Sequence, residues 1–388
     1  MKQVLEIITL ASSAEAFIGD QFSFFQEKGN YEMHLICSEG DNLEAFAKKQ
    51  GIKYQPVEIS RQLAPIKDIK AVFKIARYIR KNKIDIIIAH YFPKASLITT
   101  CASLISGRRT KVMVAHGVLH DTMSGLVRKL VIWEQKFDVA FAKKVVCVSP
   151  SVAKRRLEDK IDKPEKQVVL GKGSCNGVDA LEKFNPEKAS EEEIATLKEK
   201  YGISKDDFII GFSGRLVRDK GVVELSQAFR ILKEKHPDKS IKLFIIGEPE
   251  KRDAVPQEVL DTLLDNPEVV FTGRIPYSDI QKYYLLMDVL VLPSYREGFP
   301  TVVLEACAMG IPVIVSKSTG CIDSIKENET GVYTDIKPQA IAQNIEKFFD
   351  KDFTRNMGRE ARKYIVENYD QRIVRQYMLQ VLDSIEIK

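Results

Sequence analysis

Several absences narrow the reading before any motif does. No apolar run approaches the roughly 18 residues that a membrane-spanning helix needs. The opening stretch, MKQVLEIITLASSAEAF, has one lysine and a short apolar run but no signal-peptide core, so it reads as a first strand and a loop. Six cysteines, at Cys37, Cys101, Cys147, Cys175, Cys307 and Cys321, form no CxxC pair. Neither a zinc site nor a disulfide framework is therefore expected, and a reducing cytoplasm is the simplest setting. GxGxxG does not follow the first strand and GxxxxGK[ST] is missing, which argues against the usual dinucleotide and P-loop sites. No DxD pair of the metal-dependent type stands out, and there is neither a short repeat nor a low-complexity tract.

What is present is a regular alternation. Short apolar runs such as QVLEIITL, EMHLICS, DIIIAH, KVMVAHG and KVVCVS are separated by amphipathic segments of helical length. The same series restarts after residue 200 with FIIGFSG, KLFIIG, EVVFTG, DVLVLP and PVIVS. Strands alternating with helices predict parallel sheets covered on both faces. The expected fold class is therefore α/β, with two doubly wound Rossmann-like domains at residues 1–170 and 171–370. The joint lies near the Gly/Asn/Pro-rich GKGSCNGVDALEKFNPEK.

Charge divides along the same line. Residues 1–170 carry 28 Lys and Arg against 18 Asp and Glu, while the whole chain has a net charge of +5, so the second part is mildly acidic. An anionic membrane surface, a phosphorylated substrate or nucleic acid would each suit the basic part, but no nucleic-acid motif accompanies the charge. Ile66 to Lys83 holds seven basic residues and one acid, with apolar residues at helical spacing. That segment reads as an amphipathic helix whose surplus charge suits anionic lipid.

Ligands of open parallel sheets sit beyond the carboxyl ends of the strands. After FIIGFS comes GRLVRDKG, Gly214 to Gly221, where two glycines admit close backbone approach and Arg215 and Lys220 add positive charge. A helix follows, and the combination suits a diphosphate. After DVLVLPS comes YREGFPTVVLE. Pro300 fits a helix's first turn and Gly310 its end. The free amides near Gly298 to Val302 and the helix's positive end face the same zone. Glu297 precedes this helix and Glu305 lies within it, on an otherwise apolar face. A carboxylate there needs a partner, either a ribose diol or a salt bridge to Arg215 or Lys220. His90 and Lys94 end another strand, at a place suited to acceptor contact. His120 and His236 read as surface residues.

GRLVRDKG followed by EGFPTVVLE resembles the signature of family 4 retaining glycosyltransferases of the GT-B fold, with Glu297 and Glu305 as its E-x7-E pair. DIIIAHYFPKAS, VMVAHGV, VCVSPSV and VVFTGRIP resemble the bacterial capsule and O-antigen subgroup. The resemblance implies two domains facing a central cleft, the first taking the acceptor and the second a nucleotide sugar, with a C-terminal helix at about 371–388 packing back on the first. It implies that Arg215 and Lys220, with Gly214, hold the diphosphate. Glu305 would bind the ribose and Glu297 would lie near the donor sugar. Gly298, Phe299, Pro300, Thr301 and Val302 would line the donor, and Arg274 and Ile275 the base. His116 would sit under the donor sugar, Asn176 at the cleft, and His90, Lys94 and Arg61 on the acceptor side. The implied reaction is retaining and needs no metal or other cofactor. It moves a sugar, most simply from a UDP-sugar, to a polyprenyl-diphosphate-linked saccharide at the inner face of the cytoplasmic membrane. A transferase acting on a small soluble acceptor, or a non-catalytic scaffold, are the alternatives.

Overall fold

The computed structural model describes residues 1–10, 18–40, 43–59, 64–251 and 253–387. The chain forms two compact units, one of Met1–Asn176 with Arg372–Lys388 and the other of Gly177–Gln371. The sequence had suggested a joint after residue 170; the change from one unit to the other falls between Asn176 and Gly177.

The first unit is built on strands β1 (Lys2–Leu10), β2 (Tyr31–Ser38), β3 (Lys53–Pro56), β4 (Ile86–His90), β5 (Lys111–Ala115), β6 (Lys144–Cys147) and β7 (Gln167–Val169). They pair in the order β3-β2-β1-β4-β5-β6-β7. Each recorded pairing is parallel, with Val4 opposite Met33 on one side and Ile86 on the other. Such strands are covered on both faces, which is why β4 reads IIIAH with every residue buried. The helix Gln371–Asp383 adds to this unit: Tyr31 donates to Asp383 at 2.5 Å and Arg375 to Asn176 at 2.8 Å.

The second unit holds β8 (Phe208–Ser213), β9 (Ile241–Ile246), β10 (Val269–Phe271), β11 (Val289–Leu292), β12 (Val313–Ser316) and β13 (Gly331–Thr334). Their order is β10-β9-β8-β11-β12-β13, again parallel throughout. Phe212, Phe244, Leu290, Leu304 and Ile345 lie in one continuous core between sheet and helices. Both sheets are doubly wound, so the expected α/β class holds. Strand order reverses between β1 and β4 in one sheet and between β8 and β11 in the other. Those switch points are where doubly wound sheets open a crevice for ligands. No described helix is long and apolar enough to cross a membrane.

Candidate active site

The two segments singled out in the second unit emerge from adjacent strands at its switch point. Gly214–Gly221 leaves β8, and Pro293–Pro300 leaves β11. They are tied together by backbone and by charge. The Asp219 carbonyl accepts from the Tyr295 amide at 2.8 Å and from Ser294 Oγ at 3.0 Å. The Asp219 carboxylate pairs with Arg296 at 3.0 Å. Gly221 makes this closeness possible. Its φ is +71°, and a Cβ there would stand 2.2 Å from the Pro293 carbonyl oxygen. Gly221→Ala is therefore expected to destabilise the protein by about 1–3 kcal/mol and to disorder the loop, as read by urea unfolding. A variant unfolding at the wild-type midpoint would contradict this.

Lys220 Nζ lies 2.5 Å from Glu297 Oε1, with both side chains about 15% exposed (15% and 14%). The loop carrying Glu297 is pinned from the other side, where its amide donates to the Thr319 carbonyl at 3.0 Å. Arg215 pairs with Glu250 at 2.8 Å, and both are largely exposed. An exposed pair of this kind holds weakly, so an incoming anion would draw Arg215 away at little cost. The helix Thr301–Ala308 starts here, and its N-cap, Pro300, gives no side-chain hydrogen bond. Its first amides thus carry the positive end of the helix toward the same place.

Glu305 lies on that helix, 5% exposed. The salt bridge to Arg215 or Lys220 considered from the sequence is not formed, since those cations are engaged by Glu250 and Glu297. The partner is a phenol instead: Tyr284 donates to Glu305 Oε2 at 2.7 Å. Burial pushes the Glu305 carboxyl up to about 7, against the Tyr284 hydrogen bond and the nearby Lys183 charge, which pull it down. Farther along the same carboxyl edge, Arg274 is exposed after β10 while Ile275 packs on the core. Phe299 lies 5.5 Å from the Tyr369 ring, which fixes the turn before the helix.

In the first unit the candidate residues separate. His90 is 4% exposed and both its ring nitrogens are occupied, by Glu6 at 2.5 Å and by His116 at 2.7 Å. It therefore meets a ligand only through His116. Lys94 pairs with Asp68 at 2.7 Å. Asn176 donates to the Ile18 carbonyl at 3.0 Å and accepts from Arg375, so its amide braces the first unit. Arg61 lies outside the described residues. His120 is fully buried, contrary to its reading as a surface residue. It is held by Gln135 and Asp159, and Asp159 is also paired with Arg128. Arg128 beside Asp159 and Arg155 beside Asp121, at 3.0 Å, already neutralise the acids of the His120, Asp121 and Asp159 cluster.

Comparison with known proteins gives the family of the chain. Residues 22–173 match the family described as glycosyltransferase family 4, and residues 193–368 match glycosyl transferases group 1. The capsular polysaccharide biosynthesis glycosyltransferase CapM of Staphylococcus aureus is 30% identical over 376 residues, covering 96% of this chain and 94% of that protein. The chain belongs to glycosyltransferase family 4. An Escherichia coli relative, named UDP-Gal:alpha-D-GlcNAc-diphosphoundecaprenol alpha-1,3-galactosyltransferase, is 23% identical over 94% of this chain and 92% of its own length. HepE of Anabaena, solved with UDP-glucose, shares the GT-B fold at a TM-score of 0.81 and 19% identity, covering 99% of this chain and all of that one (100%).

In this glycosyltransferase the basic loop and the E-x7-E segment meet at one switch point. Sequence reasoning missed Tyr284 beneath Glu305 and Asp219 against Arg296 in the second unit, and Glu6 behind His90 in the first. Only Glu6 carried a visible signal, as an acid inside the apolar run of β1.

Proposed function

We propose that this glycosyltransferase moves a sugar from a nucleotide sugar, a UDP-sugar most simply, to a saccharide carried on polyprenyl diphosphate in the assembly of a surface polysaccharide. The observation that carries the reading is the cluster at the β8/β11 switch point. There Lys220, Arg215 and the N-terminus of the helix Thr301–Ala308 form a cationic seat beside two glutamates. Positive charge so placed takes up the charge of a departing diphosphate without a divalent cation. Glu305 is suited to accept from a ribose diol. Glu297, held by Lys220, lies next to the seat, where a donor sugar follows its diphosphate. Arg274 and Ile275 then lie on the base side. Glu297 is tied to Lys220 and Glu305 is buried under Tyr284, so neither is set out as a nucleophile, and the favoured course is a same-face displacement with retention. The leaving phosphate itself helps to remove the acceptor proton. The names of the Staphylococcus and Escherichia relatives support the polysaccharide and lipid-linked parts of this reading.

The acceptor's lipid points to a membrane surface, and the first unit offers one a place to dock. The helix Pro65–Lys81 has two apolar faces. Ile75, Ala76 and Ile79 are buried in the unit, whereas Ile66, Ile69 and Phe73 are exposed, with Ile66 at 73%. The helix Gly125–Ala140 likewise exposes Leu126, Val127, Leu130 and Trp133, the last at 65%, among Arg128, Lys129 and Lys136. Exposed apolar residues at helical spacing with interleaved cations suit peripheral docking on anionic lipid. The site of action follows as the inner face of the cytoplasmic membrane. Trp133 is the chain's one tryptophan, so its fluorescence reports the event. Anionic phospholipid vesicles are expected to shift its emission to the blue, with the shift lost in Leu130→Asp and weakened by salt. Emission unchanged by such vesicles would contradict docking through this helix.

The transfer itself is tested with a UDP-sugar and a polyprenyl-diphosphate-linked monosaccharide. The expected product is a lipid-linked disaccharide whose new bond, by NMR, keeps the donor's anomeric configuration. An inverted product would overturn the displacement course, and transfer only to water-soluble acceptors would overturn the lipid-linked reading.

A further inference from the structure

The deeper acid of the E-x7-E pair is held by a group that the cationic seat does not explain. Tyr284 ends the short helix Ile280–Tyr284, which packs beside the helix carrying Glu305. Its side chain is fully buried, with the Phe184 ring 6.4 Å away. A phenylalanine would fill that space as well, whereas a buried hydroxyl must also find a partner. Glu305 Oε2 lies at 2.7 Å and Ser213 Oγ, at the end of β8, at 3.5 Å. A phenol has one proton and a carboxylate only accepts, so the proton goes to Glu305 and Ser213 is left to donate to the phenol oxygen. No hydrogen bond reaches Glu305 Oε1 from the described residues.

We propose that Tyr284 is a positioning residue for the transfer: its hydroxyl fixes Oε2 of Glu305 and leaves Oε1 for the ribose diol of the donor. The ribose part of this inference rests on the function proposed above; the bond between the two side chains does not. The last torsion of a glutamate is broad, so a carboxyl without such a bond would turn either oxygen to a ligand. Fixing it in advance spares that ordering on binding. One carboxylate oxygen has two lone pairs, enough for both hydroxyls of a diol.

The same bond bears on the charge of Glu305. Burial pushes its carboxyl up to about 7, and the Tyr284 hydrogen bond, followed by the Lys183 charge, works against burial. Lys183 lies over the Tyr277 ring, 3.0 Å from its centroid. Ser213 meets the pair from β8 without charge. Arg362, on the helix Lys351–Asn368, meets the other end of the Glu305 helix, at the Ala308 carbonyl. Tyr284 is itself pushed far up, first by burial and then by the Glu305 charge, so it stays a phenol and a donor. Without its hydroxyl, burial is opposed by the Lys183 charge and the carboxyl keeps its proton to higher pH.

Calorimetry on the full-length protein with UDP and with 2′,3′-dideoxy-UDP tests this. At pH 9 the wild type is expected to bind UDP roughly 10- to 150-fold more tightly than the dideoxy nucleotide. Tyr284→Phe, which keeps the ring, is expected to bind UDP about 5- to 50-fold more weakly than the wild type at pH 7 and within about threefold of it at pH 9. Its rise in affinity with pH is thus displaced upward by about one to two pH units. A loss of equal size at every pH would be that of a packing defect and would overturn the proposal. Equal affinity of the wild type for the two nucleotides would overturn it even if the variant failed to fold, and would leave the nucleotide-sugar reading standing. A wild type that binds neither nucleotide would remove that reading and the proposal with it.

Discussion

Lys220→Met is expected to lower sugar transfer by about 100- to 1,000-fold, the scale lost when one charge-stabilising donor is removed from a reaction centre. Lys220 stands at the joint of both site loops, 2.5 Å from Glu297. Its removal withdraws the cation proposed to meet the departing diphosphate and leaves Glu297 partly buried without its partner. The two consequences separate in a double variant. Adding Glu297→Gln to Lys220→Met relieves the uncompensated acid, yet it is expected to restore little of the rate, because the missing charge belongs to the diphosphate. Full restoration would mean that Lys220 serves only to neutralise Glu297. Glu297→Gln alone is expected to keep turning over, whereas a covalent nucleophile would lose its reaction altogether.

Glu305→Gln is expected to move stability and binding in opposite directions. The Glu305 carboxyl is pushed up to about 7 by burial, while in the unfolded chain it titrates as an ordinary carboxyl near 4.5. The folded protein therefore holds more protons between those two values. Its contribution to stability is full below about 4.5 and is lost as pH rises through about 7, a loss on the order of 3 kcal/mol. Above neutrality the wild type keeps an ionised group that, among the described residues, Tyr284 alone bonds. Glu305→Gln removes that burden, so it is expected to unfold at higher urea than the wild type at pH 8 and at about the same urea at pH 5. Binding pays in the other direction. A bond from ribose to a charged acceptor contributes about 1.5–3 kcal/mol, so calorimetry should show UDP bound roughly 10- to 150-fold more weakly by the variant. Wild-type affinity for UDP should also rise with pH through about 7. A variant with normal UDP affinity would make Glu305 a core residue only.

The architecture was legible because a parallel strand buried on both faces announces itself. IIIAH, VLVL and VIVS admit little else, and the amphipathic segments between them fix the winding. The site loops were legible for a related reason: glycine, proline and charge cluster where the strands stop. The groups behind them were not. Tyr284 looks like any aromatic of a helix, and only the fold brings its hydroxyl under Glu305, 21 positions away. His120 was misread for the same cause. A polar side chain in a turn looks exposed until the elements that cover it, here Gln135 and Asp159, are in place. The helix Pro65–Lys81 shows the converse limit. Its spacing gave the apolar positions but not that Ile66, Ile69 and Phe73 face away from the core that takes Ile75, Ala76 and Ile79.

The most direct test is a screen of the purified protein against UDP-, GDP- and ADP-sugars, reading nucleoside diphosphate release in the absence of acceptor. Slow release from one UDP-sugar is expected, and none from the same sugar donor with Lys220→Ala. Failure of every nucleotide sugar to bind or to be hydrolysed would contradict it, and would leave the β8/β11 loops as a folded relic without a donor.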